Sequence, residues 1–314
     1  MEMINRYKDR SSVIRPLKES SFRLFLALDN IGIHVLPKHY YTPVPDRRWL
    51  LRHRSAWMGR VPLQIPGWDL DKHLAWLETT CSPYYQEVKG LDVYESLKEY
   101  GEGFGAIESQ VLHCFIRAMK PRRIVEIGSG VSTACMLHAV SMNGGTKFGT
   151  EITCIEPYPK PAFRRLSPIT HIQELCQSVP ESVFTTLDRG DLLFIDSTHS
   201  VKTGSDVVHL YLKVVPLLRP GVFIHIHDMN LPYAYFRDEL ENYFGWQETA
   251  LVIAWLTHNP KLQVLASLSA LQYDRPNELK SILTDYQPQA NVEGLRPSPS
   301  APGHFPSSLW LQSA

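Results

Sequence analysis

Two stretches of the sequence end in acidic and histidine side chains that could move a proton or bind a metal ion. They read GDLLFIDSTH and VFIHIHD, and each places its polar residues after an apolar run. In the first interpretation His227 or His199, with Asp228 beside it, is a general base, because the pKa of histidine lies near neutrality. In the second, Asp196, His199, His227 and Asp228 together hold a divalent cation. Mg²⁺ suits the carboxylates, whereas two imidazoles favour Mn²⁺, Fe²⁺ or Zn²⁺.

A third stretch, RIVEIGSGVST, predicts a strand, a glycine turn and the start of a helix. Gly128 and Gly130 allow the backbone to approach a ligand closely. The helix start offers unpaired N–H groups to a carboxylate or phosphate. Thr133 occupies the position of the third glycine in a dinucleotide fingerprint, and no Gly-Lys-Ser/Thr follows as in a P-loop. The turn, with Ser129, Ser132 and Thr133, therefore predicts a cofactor other than NAD or a nucleotide triphosphate.

Two acidic residues complete this candidate cofactor site. Glu126 lies two positions before Gly128 and could accept hydrogen bonds from an ammonium group or from the adjacent loop. Glu156 closes the next apolar segment, where an acid can bind a ribose diol. A cofactor with carboxylate, ammonium and ribose groups matches this set, and S-adenosylmethionine is such a molecule. An NAD-dependent oxidoreductase is the less favoured alternative because of Thr133.

Alternating strands and helices must position these residues. Near-continuous apolar strands predict an α/β, doubly wound parallel sheet covered on both faces, with the ligand beyond the carboxyl ends of the strands. The predicted strands are 124–127, 152–156, 171–176, 191–196, 222–227, 262–268 and 307–312, and the predicted helices are 71–80, 106–120, 132–142, 204–215 and 246–258.

Composition narrows the function classes. The 32 basic and 32 acidic side chains balance, whereas nucleic-acid binders usually carry a basic excess. The five cysteines are scattered and form no CxxC pair, which indicates a reduced, cytoplasmic protein. The N-terminus has no apolar secretory core and no apolar run reaches membrane-spanning length, so we expect no membrane partner. The oligomeric state is left open.

At this point the chain resembles the class I S-adenosylmethionine-dependent methyltransferases. The stretch EIGSG is similar to their first motif and CIEP, ending at Pro157, to their second. The stretches FIDSTH, HIHD and HYYTPVPD resemble a group of small-molecule methyltransferases. The resemblance covers most of residues 39–270 and the final strand. It implies a Rossmann-like seven-stranded sheet with an antiparallel last strand, adenine near Gln177 and Ser178, and Asp196 in the cofactor pocket.

The resemblance also implies an activity. Related small-molecule O-methyltransferases hold Mg²⁺ with carboxylates at these strand ends, so O-methylation of a small-molecule acceptor is the favoured prediction. Methylation of a small-molecule nitrogen and non-catalytic cofactor binding are the alternatives. Enzymes that methylate nucleic-acid amines commonly carry an Asn/Asp-Pro-Pro-aromatic motif where this chain has Asp196-Ser-Thr-His199.

The predicted domain organisation has two parts. Residues 1–100 form an N-terminal extension that could act as a substrate lid. The extension is irregular over 1–70 and contains a helix near 71–80. Residues 101–314 form the methyltransferase domain, with a proline-rich loop at 286–308.

Overall fold

The computed structural model describes residues 20–36, 41–89, 98–100, 103–144, 149–240, 245–288 and 305–314. The chain divides after His53 into two compact units. Parts of the predicted features lie outside the described residues, among them residues 39–40 of HYYTPVPD, residues 1–19 and 90–97 of the predicted extension, and residues 289–304 of the proline-rich loop.

The first unit is partly helical, so the prediction of irregular structure over 1–70 was wrong there. Helix α1 covers residues 20–29 and helix α2 covers Arg47–Arg52. Asp46 caps α2, because its Oδ1 accepts a hydrogen bond from the Arg48 amide at 2.9 Å. Proline in the preceding segment obscured this short helix, which begins directly after Pro45-Asp46.

The second unit contains a seven-stranded sheet in the order β3-β2-β1-β4-β5-β7-β6. The first five strands of that order pair in parallel, and β7 runs antiparallel to both β5 and β6. This confirms the predicted doubly wound sheet with its antiparallel last strand. The strands are β1 (Arg123–Ile127), β2 (Glu151–Ile155), β3 (Thr170–Ile172), β4 (Leu192–Ile195), β5 (Phe223–Ile226), β6 (Leu262–Ser267) and β7 (Leu309–Ser313).

Helices cover both faces of this sheet. The helices of this unit are α3 (Arg54–Trp57), which has no buried residue, α4 (Leu70–Cys81), α5 (Ala106–Met119), α6 (Val131–Met142), α7 (Glu181–Thr185), α8 (Asp206–His209), α9 (Glu248–Leu256), α10 (Leu268–Asp274) and α11 (Pro276–Ile282). The sequence of strand β4 is continuously apolar because both of its faces are buried. Leu192 and Phe194 pack into the core on one face and Leu193 and Ile195 into the core on the other.

Three local predictions need correction. The helix predicted at 204–215 is only α8, followed by a π turn at Leu210–Val214 and a 3₁₀ turn at Val215–Leu217 that contains Pro216. Strand β3 ends at Ile172, short of the predicted 176. Helices α10 and α11 were not predicted, because α10 is buried along most of its length and lacks an amphipathic pattern.

Candidate active site

The predicted functional residues follow four neighbouring strands at one edge of the sheet. Gly128 follows β1, Glu156 follows β2, Asp196 follows β4 and His227 follows β5. Strands β1 and β4 are adjacent although β2 and β3 lie between them in sequence, so this is the topological switch point of the sheet. Ligands of doubly wound sheets bind in the crevice at such a point.

The turn after β1 requires glycine at two positions. Gly128 has φ +95°, and a Cβ there would lie 2.8 Å from the backbone oxygen of Asp196. Gly130 has φ +152°, and its Cβ would lie 3.1 Å from the backbone oxygen of Tyr100. Both the conformation and the space therefore exclude larger residues.

Glu126 holds this turn in place. Its fully buried carboxylate accepts hydrogen bonds from Ser132 Oγ at 2.5 Å, Thr133 Oγ1 at 2.6 Å and Cys154 Sγ at 3.1 Å. Thr133 Oγ1 also accepts a bond from the Gly130 amide at 3.0 Å. Burial raises the pKa of Glu126 to about 7, although these hydrogen bonds oppose the rise. Glu126 was expected to bind either an ammonium group or the adjacent loop, and in this structure it binds the loop.

Two cavities open on either side of Glu156 and Asp196. The first has a volume of about 210 Å³ and is lined by Ser129, Gly130 and Phe104 among others. The second has a volume of about 320 Å³ and extends from Gly128 to Gln177 and Asp206. Glu156, Tyr158 and Asp196 line both. Together they form an elongated cleft across the strand ends.

Gln177 lines the larger cavity and carries one unpaired side-chain acceptor. Its Nε2 donates to the backbone oxygen of Gly204 at 2.9 Å, which leaves Oε1 as the unpaired atom. This buried Oε1 has no hydrogen-bond partner among the described residues. A buried acceptor without a partner is unfavourable unless a ligand donor meets it. Ser178 is exposed and lines neither cavity.

The four predicted metal ligands converge beside this cleft. Asp196 Oδ1 lies 3.5 Å from His199 Nε2 and 3.4 Å from His227 Nδ1. Asp228 Oδ2 lies 3.7 Å from each of the same two nitrogens. Ligands that share one cation at about 2.0–2.2 Å lie about 3.0–3.4 Å apart, so the four distances are slightly longer than in a filled site. Among the described residues, Asp196, His199 and His227 form a group whose ligand atoms all lie within 4.8 Å of one another, and Asp228 lies outside that group. Two oxygens and two imidazole nitrogens fit a first-row divalent cation.

The cluster has unusual backbone angles and shifted pKa values. His199 has φ +57° and Asp228 has φ +54°, a left-handed conformation that is uncommon outside glycine and often occurs at functional sites. Burial lowers the pKa of His199, but hydrogen bonds to Asp196 and Glu248 outweigh it and raise the pKa to about 10. Burial opposes the shift of Asp196, yet the charge of His227 and the hydrogen bond from His199 hold its pKa well below the usual range.

Two buried glutamates that the sequence analysis did not single out complete the surroundings. Glu108 lies against His227 and Glu248 against His199. Both stand inside helical sequence, and no local pattern distinguishes them from surface glutamates. Aromatic rings close the remaining sides, since Phe104 lies 5.1 Å from the His227 ring and Trp246 4.4 Å from the His199 ring.

Comparisons with known proteins agree with this architecture. Residues 125–229, about one third of the chain, match a family described as a methyltransferase domain. An uncharacterized protein of Archaeoglobus fulgidus is 28% identical over 178 residues, which cover 48% of this chain and 73% of that protein. The family match and the sheet order together support a class I S-adenosylmethionine-dependent methyltransferase.

Solved structures with similar folds were also found. The S-adenosylhomocysteine-bound methyltransferase PaMTH1 of Podospora anserina has a TM-score of 0.38 and 15% identity, covering 87% of this chain and 99% of that one. The O-methyltransferase TomG of Streptomyces achromogenes, in complex with S-adenosylmethionine, has a TM-score of 0.41 and 13% identity, covering 76% of this chain and 98% of that one.

Among the described residues of our chain, every helix is too short or too polar to cross a membrane.

Proposed function

We propose that this enzyme transfers the methyl group of S-adenosylmethionine to a hydroxyl oxygen of a small molecule, with the acceptor positioned at a divalent cation. The single observation that supports this most strongly is the convergence of Asp196, His199 and His227 beside the cofactor cleft, with their ligand atoms within 4.8 Å of one another and Asp228 Oδ2 3.7 Å from both imidazoles.

The cleft suits each part of the cofactor. The larger cavity, which Gln177 lines, would take the adenine. Glu156, between the two cavities, is the residue placed to bind the ribose hydroxyls. The smaller cavity, next to Ser129 and Gly130, would take the methionine portion, with its carboxylate near the start of helix α6. In this assignment Glu126 and Thr133 shape the turn without touching the cofactor, whereas Ser132 both shapes the turn and lines the smaller cavity.

The cation would be held by two oxygens and two nitrogens. Such a set favours Mn²⁺, Fe²⁺ or Zn²⁺ over Mg²⁺, which prefers oxygen ligands. A bound cation lowers the pKa of a coordinated hydroxyl group and orients it. The chain itself contributes the rest: it aligns donor and acceptor and excludes water with Phe104 and Trp246.

The interpretation in which a histidine is the general base has less support. Nε2 of His227 lies 3.2 Å from Glu108 and its Nδ1 3.4 Å from Asp196. Nδ1 of His199 lies 2.7 Å from Glu248, and its Nε2 faces Asp196 and Asp228. Both nitrogens of each ring therefore face carboxylates, and neither ring has a free nitrogen to take a proton from the methyl-accepting substrate.

The exposure of the cluster supports a small acceptor. The side chains of Asp196 and Asp228 are 31% and 19% exposed, whereas those of His199 and His227 are 8% and 2% exposed. The cluster is thus more exposed on its carboxylate side, and Asp196 lines both cavities. A small molecule could reach it, while the neutral net charge gives no support for a nucleic-acid substrate.

Two wider assignments are also proposals. All five cysteines are buried and free of disulfide bonds, which supports a reducing, cytoplasmic location. The predicted extension of about 100 residues and the methyltransferase domain stay a proposal, and helix α4 of that extension packs in the same compact unit as the sheet. Limited proteolysis that left a core beginning near residue 100 would support that boundary.

The experiment is a methyl-transfer assay on chelator-treated protein. S-adenosylmethionine and a panel of small hydroxyl and amine acceptors are added with no metal, Mg²⁺, Mn²⁺ or Zn²⁺, and S-adenosylhomocysteine is quantified by mass spectrometry. We expect turnover of a hydroxyl acceptor only with added cation, and equally in the control Asp188→Asn, an exposed acid. Equal turnover without metal would favour a histidine base, and turnover of amines alone would favour N-methylation.

A further inference from the structure

Two buried glutamates contact the two histidines of the cluster from behind. Glu108 on α5 is 3% exposed and Glu248 at the start of α9 is 1% exposed. Burying a carboxylate is unfavourable unless hydrogen bonds compensate, so two such residues around one cluster need an explanation. Both lie outside residues 125–229, the part that matches the methyltransferase domain.

Glu248 fixes His199 through both side chain and backbone. Its Oε2 lies 2.7 Å from His199 Nδ1 and accepts a bond from Ser197 Oγ at 2.9 Å, while Oε1 accepts one from Tyr211 OH at 2.7 Å. The amides of Gln247 and Glu248 donate to the backbone oxygen of His199 at 3.0 and 3.2 Å. The ring can therefore present only Nε2 toward Asp196 and Asp228.

Glu108 does the same for His227 with the opposite ring nitrogen. Its Oε2 lies 3.2 Å from His227 Nε2, which leaves Nδ1 toward Asp196 and Asp228. Its Oε1 accepts bonds from Ser308 Oγ at 2.5 Å and the Ser307 amide at 3.1 Å. Ser307 Oγ also donates to Asp228 Oδ1 at 3.1 Å. The residues preceding β7 thus hold both Glu108 and one candidate ligand.

We propose that Glu108 and Glu248 are positioning residues of the metal centre, each fixing the tautomer and orientation of one histidine. A neutral imidazole carries one N–H group, and a carboxylate behind one nitrogen keeps the proton there and leaves the other nitrogen as a lone-pair ligand. The inference rests on the proposed cation site and names two residues that control it. Replacing such an outer carboxylate typically weakens metal binding about 10- to 100-fold.

The chain contains a matched control for this contact. Glu87 Oε2 lies 2.9 Å from Nε2 of the buried His113, in the same kind of carboxylate–histidine pair. His113 is not part of the cluster found among the described residues. Glu87→Gln therefore removes the same charge from a histidine without touching the centre.

The test measures cation affinity in the full-length protein by competition with a chromophoric chelator, using Mn²⁺ and Zn²⁺. We expect Glu108→Gln and Glu248→Gln each to weaken binding about 10- to 100-fold, and Glu87→Gln to leave it within about twofold. The visible spectrum of the Co²⁺-loaded protein should change in the two former variants only. Affinity for S-adenosylhomocysteine should stay within about threefold, because neither glutamate lines the cofactor cavities.

The outcomes separate this inference from the proposed function. A wild-type protein that binds none of these cations contradicts the metal centre itself, and the inference with it. A wild-type protein that binds one ion while both glutamine variants bind it equally well overturns the inference alone. Should a glutamine variant fail to fold, the aspartate variant at that position decides. It keeps the charge but withdraws it from the ring, and unchanged affinity there would also overturn the proposal.

Discussion

The donor side and the acceptor side of the cleft shift the pKa of an acid in opposite directions. Glu126, within β1, is fully buried among hydroxyl and thiol donors, and burial raises its pKa to about 7. Asp196, after the adjacent strand β4, is 31% exposed, and two histidines hold its pKa well below the usual range. Environments that shift the pKa values of two neighbouring carboxylates in opposite directions give the two groups different roles. The first carboxylate shapes a loop, and the second keeps its charge for a ligand.

The two sides also differ in how the chain assembles them. The donor side comes largely from one continuous segment, residues 126–156, and depends on backbone shape at two glycines. The acceptor side combines residues between 108 and 308, and depends on four carboxylates around two imidazoles. We therefore expect substitutions on one side to leave ligand affinity on the other side largely unchanged.

The largest expected effect is on the acceptor side. Removing one imidazole with His199→Ala should weaken cation binding about 10³-fold or more and reduce methyl transfer about 10²- to 10⁴-fold. Affinity for S-adenosylhomocysteine, measured by calorimetry, should stay within about threefold. His138→Ala, on the exposed part of α6, is the control. A parallel loss of cofactor affinity would break the separation between the two sides.

The next prediction concerns the pH dependence of stability. Glu126 has a pKa of about 7 in the folded protein, above its ordinary 4.5. Between these values the folded state keeps a proton that the unfolded state has released, so this group lowers the free energy of unfolding as pH rises. The full contribution is up to about 3 kcal/mol. Glu126→Gln lacks it, so urea unfolding at pH 5 and pH 8 should show a shallower decline. Parallel profiles for the two proteins would contradict the assignment.

Gly128→Ala tests the shape of the donor side. The added Cβ would meet the Asp196 backbone oxygen at 2.8 Å in a left-handed conformation, so S-adenosylhomocysteine affinity should fall about 10- to 100-fold. Gly190→Ala is a matched control, with φ +89° and nothing within 4 Å of its Cβ. If the two variants bind the cofactor equally well, the close contact is not what shapes the site.

The smallest effect is expected at the adenine end. Gln177→Ala removes one acceptor, which should weaken S-adenosylmethionine binding about 3- to 10-fold and leave cation affinity unchanged. Gln173→Ala, an exposed glutamine outside both cavities, serves as the control. Unchanged affinity in Gln177→Ala would place adenine elsewhere in the cleft.

How much the sequence predicts depends on the range of the interactions involved. The glycine turn and the strands were predictable because their signals are local: an apolar run, then Gly128 and Gly130 with the later acid Glu156. The four cluster residues were predictable because parallel strand ends share one edge of a sheet. Glu108 and Glu248 were not, since their roles arise only when α5 and α9 pack behind β5 and the loop after β4. The breakdown of the helix after His209 into a π turn likewise has no local signal.

The most direct test of the account is a crystal structure with S-adenosylhomocysteine and Mn²⁺, with anomalous diffraction recorded for manganese. We predict one anomalous peak about 2.0–2.3 Å from Asp196 Oδ1, His199 Nε2, His227 Nδ1 and Asp228 Oδ2. The nucleoside should lie between Glu156 and Gln177. An ordered nucleoside with no peak among these four atoms, at a Mn²⁺ concentration that supports turnover, would contradict it.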